Sequence, residues 1–566
     1  MLELLEHKGM FTLSNKKIAH FFLILTLCFP IMKTYSQESA NPPPKDWFLL
    51  DRDQDKYPGI SLELAYQEIL KNMVSKKVVV AVIDGGVDIH HEDLQGSIWT
   101  NKDEIPDNGI DDDKNGYIDD VNGWNFIGGK DENVNEDTYE ITREYARLKS
   151  KFDKLNTTQI PSNLKKEYKT YLDIKSRYEN RKEGESKKYK DYSSQYELYN
   201  NIYSNFIKGI DTLKTILQKD KLFISDVKNV KSDDPNLLFY KGIILQMTQT
   251  AGQQDFDSLQ IGLLDAINEI KEAVDYYDIV VNKGYNEQFN SRKIVGDQAD
   301  NFNEKYYGNN DVIGPDASHG THVSGIIAAN RNNYIGVKGI CDNVSIMPIR
   351  AVPNGDERDK DVANAIRYAV DNGAQVINMS FGKSYSPQKY LVDEAVKYAA
   401  QKGVIMVHAS GNDSQNLDKQ RDYPNRFYIE GKSDNNWIEV GASTWEADDH
   451  LIASFSNYGK KNVHFLAPGS EIYSTTPDNT YKSLSGTSMA CPVTTGVVAL
   501  LLSYFPNLTP AQVVKIAIES TVKYKNLKVI LPKGADKVAL KKLTLTGGII
   551  NSYLAVQMAR GITTAK

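Results

Sequence analysis

Residues 78–83 form an unbroken apolar run, Val78-Val79-Val80-Ala81-Val82-Ile83, closed by Asp84-Gly85-Gly86. Continuous rather than alternating hydrophobicity predicts a strand covered on both faces, as in a parallel sheet. Further strands are predicted over 345–351, 376–382, 437–442 and 463–466, and in the run leading to Gly411-Asn412. Between them the apolar period lengthens to that of a helix. Over 359–372 Val362, Ile366 and Ala369 share one face and Gly373 supplies a stop. Helices are also predicted for 60–73 and 390–402, from Pro510 with proline near the first helical position, and opening from 547–551. Strand and helix in alternation predict an α/β fold: a parallel sheet with helices on both faces.

From 131 to 310 the pattern changes. Tyr, Lys, Glu and Asn dominate and glycine is rare until near the end. Asp137 and Glu140 have the spacing of a capping box before Ile141, Tyr145, Leu148 and Phe152. Tyr189, Tyr192, Tyr196, Tyr199, Tyr203, Phe206, Ile210, Leu213 and Leu217 alternate steps of three and four, and Leu263, Ile267, Ile270, Val274 and Tyr277 repeat the pattern. Three or four helices packed as an inserted α-helical subdomain are predicted. The tyrosine stripe reads either as the bundle's own seam or as a platform for peptide or glycan.

Composition adds constraints. The chain has 566 residues, a formal net charge of −7 and no basic stripe, which argues against nucleic acid as a partner. Lys16-Lys17, a short apolar run to Met32 and the small residue Ser36 read as a secretory signal peptide over 1–36, so an exported chain is expected, secreted or in the periplasm or cell envelope. No transmembrane segment is expected in the mature chain, and a monomer is favoured. Residues 37–75 read as an extended leader and a short helix. Beyond the signal only Cys341 and Cys491 remain, and Cys491 reads as a buried small apolar residue.

Candidate chemistry is concentrated at four points. Asp84 ends a buried strand, where open α/β sheets place their sites. Ser318-His319-Gly320-Thr321-His322 opens a small-residue helix, with His319 at its start and His322 one turn on. Gly486-Thr487-Ser488-Met489-Ala490-Cys491-Pro492 leads into an apolar helix, so Ser488 offers a hydroxyl and an unpaired backbone N–H from one residue. The strand at 407–412 ends in the amide Asn412. Serine needs a base to act as a nucleophile, and the base needs an orienting acid.

In the order Asp, His, Ser, these motifs resemble those of the subtilisin-like serine proteases over residues 76–130 and 311–566. The resemblance implies endopeptide hydrolysis of polypeptide substrates with Ser488 as nucleophile, His319 as base, Asp84 as its orienting acid and Asn412 as oxyanion donor. It implies that Ser380, Phe381 and Gly382 contact substrate and wall the pocket for the residue before the cut. It also implies a Ca²⁺ shared by Asp93 and Asn333. Gly85 departs from the family, which usually has Ser or Thr there. No catalytic cofactor is expected.

A second dense signal is Asp111-Asp112-Asp113-Lys114-Asn115-Gly116-Tyr117-Ile118-Asp119. Oxygen donors at Asp111, Asp113 and Asn115, the Tyr117 carbonyl and Asp119 suit a loop wrapped round structural Ca²⁺, with a solvated acidic turn as the alternative. The competing class for the whole chain is a catalytically silent binding or chaperone-like protein that uses the helical insertion.

Overall fold

The computed structural model describes residues 42–251 and 256–564; the expected signal peptide, 1–36, lies outside the described residues. The chain divides into two compact units, one of residues 43–185 and 279–566, the other of residues 186–278.

In the larger unit a nine-stranded sheet runs in the order β10-β13-β7-β6-β5-β4-β1-β3-β2. Its strands are β1 (Val78–Asp84), β2 (Trp124–Asn125), β3 (Val344–Arg350), β4 (Val376–Met379), β5 (Ile405–Ala409), β6 (Trp437–Ser443), β7 (Phe465–Pro468), β10 (Val522–Lys523) and β13 (Gly548–Ile549). Two small antiparallel pairs, β8 (Ile472–Thr476) with β9 (Thr480–Leu484) and β11 (Lys528–Ile530) with β12 (Lys537–Ala539), stand apart. Parallel pairing aligns Asp84 with Arg350, Ile83 with Met379, Met379 with His408 and His408 with Glu439. This register brings the carboxyl ends of β1, β4 and β5 side by side.

Successive residues of β1 serve opposite cores, as the two-residue strand period requires. Val78, Val80 and Val82 join a cluster with Val323, Ile326, Val493 and Val497 from the helices Ser318–Ala328 and Thr487–Tyr504. Ala81 and Ile83 join the other, with Val362, Ile366, Val392 and Ala395 from Asp359–Asp371 and Lys389–Gln401. Helices on both faces of a mostly parallel sheet match the expected α/β class. The helix Thr487–Tyr504 is long and apolar enough to cross a membrane, but 89% of it is buried, as befits a core helix.

Three sequence expectations change. Gly547–Asn551 does not open a helix: Gly548–Ile549 is β13, Ile549 pairs with Leu466 of β7, and the helix starts at Ser552. Ile549 and Ile550 are both buried, which favours pairing at the sheet margin. The leader is not wholly extended, since Trp47–Leu49 forms a short buried helix and the Ile60 N–H donates to the Phe48 carbonyl. The capping box is absent too. Asp137 binds Arg358 and the Glu140 side chain binds Arg143 and Lys383, because paired cations hold buried carboxylates more strongly than a helix end does.

The compact smaller unit, 186–278, is narrower than the compositional insertion, 131–310. The helix Glu140–Phe152 buries Ile141, Tyr145, Leu148 and Phe152 with Tyr171, Ile174, Tyr178, Val280 and Tyr285, all within the larger unit. Arg292 and Lys360 pair with Asp297, and Arg292 also with Asp361, fastening the segment after the insertion to Asp359–Asp371. Residues 165–217 form one helix, Lys165–Leu217. In the smaller unit Ile202, Phe206, Ile210 and Leu213 pack with Ile243, Ile244, Met247, Leu259 and Leu263. Tyr199 is buried and Tyr192 stacks on Tyr277 with ring centres 5.3 Å apart, so much of the stripe is internal seam.

Candidate active site

β1 delivers Asp84, buried, at its carboxyl end. Both carboxylate oxygens lie 2.9 Å from His319 Nδ1, and Asp84 Oδ1 also accepts from the Gly85 N–H at 2.8 Å. A proton on Nδ1 facing a carboxylate leaves Nε2 as the nitrogen able to accept another. Burial disfavours the imidazolium, but Asp84, helped by Asp316, outweighs it and raises the His319 pKa. Close approach of the helix to β1 depends on Gly320. A Cβ there would stand 2.1 Å from the Gly86 carbonyl oxygen and 3.1 Å from Asp84 Cβ.

Ser488 lies in the first turn of its helix, where the backbone N–H lacks an intrahelical acceptor. Its hydroxyl donates to the Ser380 carbonyl at 3.1 Å, and the Ser380 hydroxyl donates to the Ser488 carbonyl at 2.9 Å. These reciprocal bonds tie the serine to the end of β4. Among the described residues the Ser488 hydroxyl bonds to Ser380 rather than to His319.

Asn412 follows β5. Its side-chain oxygen faces Thr487, which leaves Nδ2 directed elsewhere. A Cβ on Gly486 would lie 3.4 Å from Asn412 Nδ2 and 3.6 Å from the Ser488 nitrogen, so the bare glycine opens a hollow between two donors. That arrangement suits an oxygen carrying developing negative charge.

A cavity of about 240 Å³ beside the pair is lined by Asp84, His319, Asp316, Arg350, Ser380 and Phe381, among others. The Phe381 carbonyl accepts from His408 Nε2 at 2.9 Å, and Gly382 is exposed. His322, in the helix Ser318–Ala328, is buried against the β8–β9 hairpin and donates Nε2–H to the Ile472 and Lys482 carbonyls; burial pushes its pKa down to about 4. It stays neutral at ordinary pH. Cys491 is buried and burial pushes its thiol up to about 12, as suits a packing residue. His91 is fully buried; its Nδ1 accepts from the Asp93 N–H and its Nε2 donates to the Thr480 carbonyl.

Of the acidic-loop positions, Asp111 and Asp113 come together with Glu104, their carboxylate oxygens within 4.8 Å of one another. Asn115 donates its amide to Asp113 and Asp120, and Tyr117 is a buried ring beside Trp124, Phe126 and Tyr368. The Asp119 carboxylate turns to the N–H groups of Asn108 and Gly109 instead. Asp93 and Asn333 do meet: Asn333 Nδ2 donates to Asp93 Oδ1 at 2.8 Å, and the Val337 N–H donates to Oδ2 at 2.9 Å. Sequence reasoning missed Glu104, which stands outside the dense acidic run. It also missed His408, Asp422 and Glu439, whose proximity depends on strand register.

The sequence profile of the subtilase family matches residues 75–541. A thermophilic serine proteinase of Bacillus sp. (strain AK1) is 39% identical over 241 residues, 42% of this chain and 52% of that protein. Thermitase of Thermoactinomyces vulgaris is 38% identical over 268 residues, 47% of this chain and 82% of that one. Subtilisin DY of Bacillus licheniformis is 36% identical over 238 residues, 41% and 79% respectively. The chain thus spans about half the length of the first of these relatives and about four-fifths of the other two.

Proposed function

The chain belongs to the subtilase family, and from that membership we propose that it is an exported serine endopeptidase acting through an acyl intermediate on Ser488. As substrate enters, the Ser488 hydroxyl leaves the Ser380 carbonyl and turns to His319 Nε2. His319 takes the proton while Oγ attacks the scissile carbonyl carbon. Asp84 holds the imidazole and balances its positive charge. Asn412 Nδ2 and the Ser488 N–H receive the oxyanion. His319 then returns the proton to the leaving amine, and water frees the acyl group by the same path.

The single observation that carries this reading is the Asp84–His319 contact at 2.9 Å, with no hydrogen bond to Nε2 among the described residues. Ser380, Phe381 and Gly382, beyond the end of β4, supply backbone groups for an extended substrate. A structural Ca²⁺ held by Glu104, Asp111 and Asp113, and another by Asp93 and Asn333, would lock surface loops and take no part in the chemistry. A fluorophosphonate probe tests the proposal. Ser488 is expected to be labelled, and Ser488→Ala to lose both labelling and peptide hydrolysis. An unlabelled wild-type chain that binds but never cuts polypeptides would instead favour the silent binding protein.

A further inference from the structure

The cavity beside Asp84 and His319 has one wall at residues 352–354, after β3, and another at residues 380–381, after β4. Asn135, near the start of the inserted segment, lines it as well. That segment is bonded to the first wall. The Asn354 N–H donates to the Asn135 carbonyl at 2.8 Å, and the Asp137 N–H donates to the Asn354 carbonyl at 3.0 Å. Just beyond, the helix Glu140–Phe152 begins, and its first turn reaches the continuations of both walls, at residues 356–357 and at Lys383.

The Glu140 N–H donates to Asp356 Oδ2 at 2.8 Å. Glu140 Oε2 accepts from Arg143 Nη2 at 2.7 Å and from Lys383 Nζ at 2.8 Å. Arg143 Nη2 also donates to the Asp356 and Glu357 carbonyls, at 3.1 and 3.2 Å, and Lys383 Nζ donates to the same Glu357 carbonyl at 2.8 Å. The side chains of Arg143 and Glu140 are only 15% and 6% exposed, so salt and water screen these bonds little. The helix start is anchored independently, since the Tyr139 N–H and the Thr142 hydroxyl both donate to the Gly284 carbonyl, at 3.0 and 2.7 Å. Burying so many charges carries a desolvation cost that apolar packing would avoid. What the charges add is direction: they grip main-chain carbonyls of one wall and a side chain of the other.

We infer that Glu140 and Arg143 are positioning residues for the proposed hydrolysis: from the inserted segment they set the spacing of residues 352–357 and 380–383, the two stretches between which the substrate chain lies. The inference rests on the peptidase reading and deepens it. Neither residue touches the reacting atoms. An extended peptide bonds to the main chain on its flanks, so a shift of that main chain displaces the scissile bond. Misplacement by about 1 Å costs on the order of 10²-fold in rate. A substrate of several residues spans both flanks and draws on that remote binding in the transition state, whereas the ester of a single amino acid does not. Lysine at position 143 would keep the charge but lack the planar fork that holds Glu140 and two carbonyls at once.

The test is kcat/KM for a hexapeptide and for a single-residue ester, in the wild type, Arg143→Lys and Glu140→Gln, with melting temperature and fluorophosphonate labelling of Ser488 in each. The expected result is a peptide-to-ester ratio at least ten-fold lower in each folded, labelled variant. A smaller change in that ratio, including activities on both substrates that fall together, overturns the inference alone. A wild type that neither takes the label nor cuts any peptide overturns the peptidase reading and this inference with it. If neither variant folds, hydrogen exchange in the wild type decides, comparing the Ser488 adduct of a peptidyl phosphonate with that of a small alkyl fluorophosphonate. Slower exchange of the Glu140 and Arg143 amides in the peptidyl adduct alone supports the inference, and equal exchange in the two adducts overturns it.

Discussion

The side-chain oxygen of Asn412 accepts from both the backbone N–H and the hydroxyl of Thr487, each at 2.9 Å. The Thr487 hydroxyl in turn accepts from the Gly411 N–H at 3.1 Å. A backbone N–H can only donate, so the Asn412 atom facing it is the oxygen and the amide nitrogen points away. Asn412→Leu is expected to lower kcat by about 10²–10³-fold with little change in KM, a magnitude taken from the equivalent loss in a subtilisin. Thr487→Val removes one orienting bond, worth about 1 kcal/mol, and should lower kcat roughly five-fold. Steady-state kinetics on one peptide separates the two effects.

The hollow beside those donors makes a separate prediction for Gly486. Its φ of 165° is extended backbone that any residue adopts, so Gly486→Ala should fold normally. The new methyl would sit 3.4 Å from Asn412 Nδ2 and 3.6 Å from the Ser488 nitrogen, where the oxyanion is expected. The expected outcome is at least a ten-fold fall in kcat at unchanged melting temperature. An equal loss of both would assign Gly486 to stability instead.

The acid limb of the pH–rate profile should report His319. Its pKa is raised above the ordinary value of 6.5, and only the neutral imidazole can take the serine proton. The kcat/KM midpoint is therefore expected above 6.5, moving down in Asp84→Asn, whose kcat should also fall by about 10⁴-fold. Stability runs the other way. The raised pKa favours the folded state fully below the unfolded value, and that contribution is lost as pH rises through the folded value.

Lys383, beside Gly382, is a buried ammonium 2.8 Å from both Glu140 and Asp359, and it donates to the Glu357 carbonyl at 2.8 Å. Burial works against the Glu140 carboxylate, but Arg143 and Lys383 overcome it and hold the carboxyl well below its usual range. Lys383→Met leaves buried carboxylates uncompensated, and a loss of about 3–5 kcal/mol is expected in urea unfolding. Lys383→Met with Glu140→Gln should recover part of it. The Glu140 contribution is present above the unfolded carboxyl pKa and is lost as pH falls through the folded one.

Removing divalent cations should lower the melting temperature. The Glu104, Asp111 and Asp113 carboxylates within 4.8 Å of one another repel without a counter-charge. An ion at 100 times its Kd stabilises by about 2.7 kcal/mol, so for a unit of this size a fall of about 3 °C on adding EDTA is expected. Glu104→Gln should shrink the difference between the calcium-loaded and chelated protein. No response to chelator in the wild type would leave a solvated acidic turn.

The α/β class, the main strands and helices in their order along the chain, and the elements that carry Asp84, His319, Ser488 and Asn412 were legible in the sequence because each depends on local pattern; the short strands β2, β10 and β13 and the order of strands within the sheet were not. An unbroken apolar run makes a strand that must be covered on both faces, and a turn with glycine exposes the residue beside it. Even the seam at Phe206, Ile210 and Leu213 could be read from its spacing alone, whereas Ile202, which packs with them, lay off the predicted stripe. The leader and the segment 547–551 were misread because Trp47 and Ile549 find their partners far away in sequence. Tertiary structure alone decided that the Ser488 hydroxyl rests on Ser380, that Glu104 joins the acidic loop and that Arg143 reaches the Asp356 and Glu357 carbonyls. Those relationships depend on register and on where loops return to the sheet, which no local periodicity encodes.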